Sequence, residues 1–209
     1  MNRRGLFRHV VVVALFAGVF VVGAGQSAVP RKVGEKAPAF ELEDTEGKTH
    51  ELADYDGRIV VLEWTDPDCP YVQRHYDEQE GATMAGTYRK VREVSEDVVW
   101  LAVNSTRGAD AERTKQWIEA RGVPYPILLD PDGRIGRAYG ARRAPQMFVI
   151  DAKGVLRYAG AIDSNRLGTT PPDQVTNYVV EVVKQLVADP TAEITQDSVK
   201  PYGCEIKFR

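Results

Sequence analysis

The stretch Ile59-Val-Val-Leu-Glu-Trp-Thr-Asp-Pro-Asp-Cys-Pro-Tyr-Val-Gln-Arg-His-Tyr76 runs from apolar residues through a short acidic loop into Cys69-Pro70. That order predicts a strand, a turn and a helix start. Residues 59–62 are apolar without alternation, as a strand covered on both faces requires. Pro70 suits the first helical position, because its ring fixes φ and its missing N–H would have had no partner there. Cys69 thereby falls at the helix N-cap, where unpaired N–H groups and the positive end of the helix dipole favour an anion. The expectation is a thiol pKa below the free value of about 8.5, opposed by the charges of Asp66 and Asp68. A buried structural cysteine is the bland alternative. The position between a buried strand and a proline-started helix favours a reactive thiol instead.

Outward from this turn, the chain reads as a single domain with additions. Phe40 to Leu52 alternates apolar and polar residues about Glu46-Gly47, a hairpin signature, followed by a loop from Asp54 to Gly57. After the first helix Gly81 breaks the pattern, and Thr83 can cap a second segment with Met84, Tyr88 and Val91 at helical spacing. Val98 to Val103 is a second buried strand. Asp110 to Arg121 is a helix with Ala111, Trp117 and Ile118 as candidate core residues. This alternation implies a parallel strand pair. Pro126 to Leu129 is a short strand with a turn at Asp130-Pro-Asp-Gly133, and Ile135 to Tyr139 a short helix stopped by Gly140. Met147 to Ile150 and Val155 to Ala159 form a closing hairpin. Thr170 to Asp173 then caps a helix striped by Val175, Val179, Val182 and Leu186.

The 209 residues are 43% hydrophobic and 27% charged, enough for one sizeable core. Residues 1–28 read as an export signal: a basic start with Arg3, Arg4 and Arg8, an uncharged run from Val10 to Val22, then small residues up to Ala28. A retained N-terminal anchor is the alternative. Removing the three leader arginines from the 27 basic residues leaves 24 against 30 acidic ones, a net charge near −6. An acidic chain gives no reason to expect nucleic acid as a partner. Export, to the periplasm if the cell has an outer membrane, puts Cys69 and Cys204 where a disulfide can persist.

Several pieces occur together: Trp64, Asp68-Cys69-Pro70-Tyr71-Val72, His75-Tyr76, Trp100 to Ser105, Ala144-Pro145 to Asp151, Tyr158 to Asp163, and Gly203-Cys204-Glu-Ile-Lys207. In this order they resemble the thioredoxin superfamily, most closely its redoxin branch, the alkyl hydroperoxide reductase and thiol-specific antioxidant (peroxiredoxin-like) family. The resemblance covers about residues 33 to 209. It implies an α/β thioredoxin-like fold, a central mixed sheet flanked by helices with an N-terminal hairpin added. The domain would span 33–188, with 189–209 a C-terminal tail carrying Cys204. Chemistry then sits past the carboxyl ends of the strands, where Trp64 to Cys69 lies. Val72 stands where thioredoxins carry a second cysteine, so a local dithiol is impossible. Asp66 stands where peroxiredoxins usually carry threonine.

Further roles follow from the same resemblance. Pro145 matches the cis-proline whose preceding peptide faces the reactive cysteine and presents backbone groups to a partner chain. Arg142 and Arg143 lead into that loop, and a guanidinium within about 6 Å would stabilise the thiolate. Cys204 resembles the C-terminal cysteine of the redoxin branch and would resolve Cys69. The 15 residues between Ala188 and Cys204 could span roughly 50 Å, so reach allows the pair. Gln73, one turn after Cys69, shares its face. His75 does not, since six residues of helix turn through about 240°, and it reads as a histidine supporting the fold. No metal-ligand spacing and no phosphate loop is present, so no metal or cofactor is expected. The leading reading is a secreted thiol-dependent oxidoreductase acting on a peroxide or an oxidised thiol, with Trp64, Pro70, Gln73, Arg143 and Pro145 supporting Cys69 and Cys204. Its reductant would be an external thiol protein. The alternative is a non-catalytic binding module with a static Cys69–Cys204 disulfide.

Overall fold

The computed structural model describes residues 32–77 and 83–208. The export signal expected at 1–28 and the break expected at Gly81 lie outside the described residues. Two short strands, β1 (Glu41–Asp44) and β2 (Thr49–Glu51), form the expected hairpin. Leu52–Tyr55 is one turn of 3-10 helix, which occupies part of the stretch expected to be loop. The strand β3 (Val60–Trp64) is buried at every position, and α1 (Pro70–Tyr76) follows with Cys69 as its N-cap. Next come α2 (Thr83–Val94), β4 (Val99–Asn104) and α3 (Ala111–Arg121). After them lie β5 (Ile127–Leu129), α4 (Arg134–Tyr139) and the two-residue strand β6 (Arg143–Ala144). The chain continues with β7 (Gln146–Ile150), β8 (Leu156–Gly160), α5 (Tyr178–Ala188) and β9 (Cys204–Glu205).

Seven strands make one mixed sheet in the order β2-β1-β5-β4-β3-β7-β8. The β3, β4 and β5 strands run parallel to one another, and the remaining pairs are antiparallel. The central strand is held on both edges, Val60 opposite Val99 and Ile150, Trp64 opposite Val103 and Gln146. Burial on both faces explains why 59–62 does not alternate. Trp64, Phe148, Leu62, Met147, Tyr158 and Leu156 are fully buried around it, each apolar side chain contributing about 1.5–3 kcal/mol. A separate two-stranded sheet pairs β6 with β9.

Two helical expectations need correction. The last helix begins at Tyr178, not near Thr170, because the Asn177 side chain accepts a hydrogen bond from Val180 N and caps it there. Residues 172–174 form only a 3-10 turn, so Val175 precedes the apolar stripe. In α3, Ala111 is exposed and Trp117 and Ile118 are half-buried. Its buried residue is Thr114, and Asp110 caps the helix through Arg113 N.

Candidate functional site

The parallel ladder extends one residue past β3, where Thr65 N donates to Val103 O at 2.9 Å. The acidic loop then folds on itself: Asp68 N donates to Asp66 Oδ1 at 3.0 Å, and Cys69 N to Asp66 O at 3.0 Å. Gln73 is exposed and its side chain donates to Pro67 O at 2.9 Å, so it braces the loop from the first turn of α1. Pro70 occupies the first turn, and Cys69 has extended dihedrals (φ −78°, ψ 121°) with no side-chain cap. Asp68 is turned outward in an exposed ion pair with Arg113. Burial raises the Asp66 carboxyl above its ordinary value, which weakens its opposition to a neighbouring thiolate.

The second wall of the site is the loop between α4 and β7. Gly140 ends α4 in the left-handed region, and the Ala144-Pro145 peptide is cis. Gln146 stabilises the approach, its Oε1 accepting from Arg142 N at 2.9 Å and Arg143 N at 3.2 Å. Cys69 Sγ lies 3.1 Å from Ala144 O, the carbonyl preceding the cis bond. Across β6, Ala144 is the register partner of Cys204. Cys69 and Cys204 are joined as a disulfide, with Cα atoms 5.8 Å apart across a sequence separation of 135. That spacing is usual for the bond. Cys69 is only 2% exposed.

The supporting residues divide. Trp64 is fully buried, donates from Nε1 to Ser105 Oγ at 3.0 Å and packs on Tyr139 and Phe148. It therefore fixes the end of β3. The Arg143 guanidinium donates to Gly203 O at 3.3 Å, toward the segment carrying Cys204, and Arg142 is exposed. His75 packs against the tail: its ring stacks on Tyr202 and its Nε2 is 3.2 Å from Tyr202 OH. Burial holds it down to about 4, so it is neutral near pH 7. Among the described residues no cluster of His, Cys, Asp or Glu could hold a metal ion.

Two features escaped the sequence. Glu63 lies in the middle of β3 with no exposure, and its carboxylate accepts from Tyr76 OH at 2.8 Å, Tyr125 OH at 3.0 Å and Trp100 Nε1 at 3.4 Å. Burial pushes it up to about 6 despite those hydrogen bonds, which favour the anion. One acidic residue inside an otherwise apolar strand was the available signal. The second is Tyr202, whose hydroxyl donates to Asp163 Oδ1 at 2.6 Å and anchors the tail beside α1. Its partners are distant in sequence, so no local pattern reveals it.

A seven-stranded mixed sheet, a cysteine at a helix N-terminus and a cis-proline loop facing it define a thioredoxin-like thiol oxidoreductase. The chain belongs to the AhpC/TSA family, whose model matches residues 33–159. It is similar to the thiol:disulfide interchange protein DsbE of Vibrio cholerae, with 29% identity over 178 residues covering 79% of this chain and 89% of that one. A Mycobacterium tuberculosis protein carrying a peroxiredoxin name, Rv2521, is 31% identical over 137 residues, 63% of this chain and 78% of its own. A crystal structure of a hypothetical protein from Sinorhizobium meliloti 1021 superposes with a TM-score of 0.71 at 25% identity, covering 87% of this chain and 97% of that one. The protein is thus a redoxin-family oxidoreductase acting through thiols.

Proposed function

We propose that Cys69 and Cys204 are the reacting pair of a thiol–disulfide exchange cycle, with Cys69 the nucleophile. The observation that carries this reading is the disulfide itself, held at the α1 N-terminus with Cys204 opposite Ala144. In the reduced protein the Cys69 thiolate attacks one sulfur of a substrate disulfide, forming a mixed disulfide and releasing the other sulfur as a thiolate. Cys204, as thiolate, then attacks Cys69 Sγ and releases the substrate's second thiol. The balance is one substrate disulfide reduced to two thiols and the Cys69–Cys204 pair oxidised. An external dithiol protein returns it to the reduced state, and with an oxidising poise the cycle runs in reverse.

Both cysteines act outside the cytoplasm in this reading, because the basic, apolar and small-residue run at 1–28 has the form of an export signal and a persistent disulfide needs an oxidising compartment. Exchange is favoured over peroxide reduction because Asp66, a carboxylate, stands where the resemblance to peroxiredoxins would put a threonine hydroxyl.

Single-turnover mixing tests the assignment. Reduced protein is mixed separately with a peptide disulfide and with hydrogen peroxide, and free Cys69 is followed by alkylation. Exchange predicts faster loss with the disulfide, a trapped mixed disulfide in Cys204→Ser and no reaction in Cys69→Ser. Faster loss with peroxide would assign the peroxidase reaction instead. A disulfide that resists mild reductant, with Cys69→Ser active in whatever the protein binds, would make it a static module.

A further inference from the structure

From Cys204 to Phe208 the tail alternates between covered and exposed residues, with Gly203 half-buried before it. Tyr202 and Ile206 are buried, Cys204 and Phe208 are half-buried, and Glu205 and Lys207 between them are exposed. Its backbone pairs antiparallel with β6, Arg143 opposite Glu205, and continues through Ile206 N donating to Arg142 O at 3.0 Å and Arg107 N donating to Lys207 O at 2.7 Å. This is the geometry of an extended peptide added to a strand edge, where the backbone supplies affinity and alternate side chains supply selectivity.

Each inward side chain has its own seat. The Tyr202 ring lies against Tyr71 and His75, and its hydroxyl is held by Asp163. Phe208 occupies space that exists because two positions on the far wall are glycine. A Cβ at Gly133 or Gly136 would come within 2.5 Å of its ring, and Arg137 lies over that ring at 4.9 Å. Gly203 approaches most closely: a Cβ there would stand 2.1 Å from Ala144 O, and its φ of +123° disfavours any side chain. With Cys204 in place Cys69 is 2% exposed, so an external sulfur reaches Cys69 only when the tail moves aside. Tail and substrate compete for one groove.

We propose that this groove is a sequence-selective docking surface for an extended, cysteine-containing peptide resembling the tail. The preferred segment carries an aromatic hydroxyl residue two before the cysteine, glycine immediately before it, an aliphatic residue two after and an aromatic residue four after. The tail is its tethered competitor. This rests on Cys69 being the exchange nucleophile and adds which substrates it accepts.

The test uses reduced full-length Cys204→Ser protein, in which the tail can leave. The probe is the peptide Lys-Pro-Tyr-Gly-Cys-Glu-Ile-Lys-Phe with its cysteine activated as a mixed disulfide with thionitrobenzoate. Cys69 attacks the peptide sulfur, forming the Cys69–peptide disulfide and releasing the coloured thiolate one for one. The expected result is a saturable reaction, slowed about tenfold by Tyr→Ala, Gly→Val or Ile→Ala in the peptide, the loss of one well-seated group. Equal, non-saturating rates for these peptides and a scrambled one overturn the selectivity while leaving Cys69 as nucleophile. No release from the peptide or from small dithiobis-nitrobenzoate, in protein that remains folded by circular dichroism, overturns the nucleophile assignment and this inference with it. A wild-type dimer linked from Cys69 of one chain to Cys204 of another would assign the groove to a second copy and overturn the separate peptide partner.

Discussion

At the scale of single residues, Glu63 and the thiol that reduction would free at Cys69 are acids in contrasting places, one inside the core and one at a helix N-terminus. Glu63 has no contact with water, and its folded-state value is about 6 against an ordinary 4.5. A raised folded-state value means that the native state binds the proton more tightly than the unfolded chain. The resulting stabilisation is complete below about pH 4.5 and is lost as the pH rises through about 6. The shift corresponds to on the order of 2 kcal/mol. Glu63→Gln cannot titrate, so urea unfolding of both proteins should show the wild type losing ground to the variant by that amount between pH 4 and pH 7. A difference that does not change with pH would mean that Tyr76, Tyr125 and Trp100 compensate the charge fully. Cys69 is the converse case, a group at a helix N-terminus that favours its anion. In reduced Cys204→Ser, its alkylation rate against pH should have a midpoint below the free value of about 8.5. A midpoint at or above that value would leave Asp66 and Asp68 in control of the thiol and count against the nucleophile assignment.

At the scale of elements, the β6–β9 pair decides how firmly Cys204 is presented to Cys69. Gly203 lies against the Ala144 carbonyl with positive φ, so Gly203→Ala must displace the tail backbone at the register that aligns Cys204. Losing that alignment lowers the effective concentration of one thiol at the other. The disulfide should become easier to reduce by about tenfold in equilibrium constant, or roughly 30 mV. Equilibration with glutathione buffers measures it, and an unchanged midpoint would show that β9 does not govern the pairing. This pair also marks the limit of what the sequence reveals. Strand β3, the Cys69 cap and the closing hairpin are legible because each is written in a few adjacent residues, such as Pro70, whereas the cis bond before Pro145 follows from the resemblance, since Ala-Pro alone favours trans. The start of α5 was misread because Thr170-Pro-Pro-Asp173 offers a cap by type, while Asn177 caps by geometry. The Cys69–Cys204 pairing rested on resemblance alone, since nothing local in Tyr202 to Lys207 specifies β6 as its partner. Arg143 reaches Gly203 O, next to Cys204, a contact between residues 60 apart that no local pattern in the sequence announces.

For the whole molecule, the disulfide ties the extreme C-terminal segment back to the middle of the sheet. Closing a loop of 135 residues restricts the unfolded chain by about 5 kcal/mol in the chain-entropy picture. Most of the core that Cys69 sits in comes from β3, β4, β7 and α5, which bury their apolar faces against one another, and Ile194, Tyr202 and Ile206 join it from the tail. The tail adds the Tyr202, Ile206 and Phe208 seats, the Ala159–Ser198 bridge and Ala159 N donating to Asp197 O at 3.1 Å along the β8 edge. Reduction therefore should not unfold the sheet. It should convert a closed loop into a strap held by side-chain seats and a short ladder, and thermal unfolding should shift down by roughly 10 °C or more with reductant. The Cys69→Ser, Cys204→Ser double variant should match the reduced wild type and be insensitive to reductant. Limited proteolysis then separates release of the strap from general loosening. If the seats alone are weak, the reduced protein is cut between 189 and 203 while a fragment of about 33–188 survives, and the oxidised protein is cut slowly at the same bonds. Equal protection of 189–203 in both redox states would mean that Tyr202, Ile206 and Phe208 hold the tail without the sulfur bond, and that a substrate must displace it by competition rather than find the groove already open.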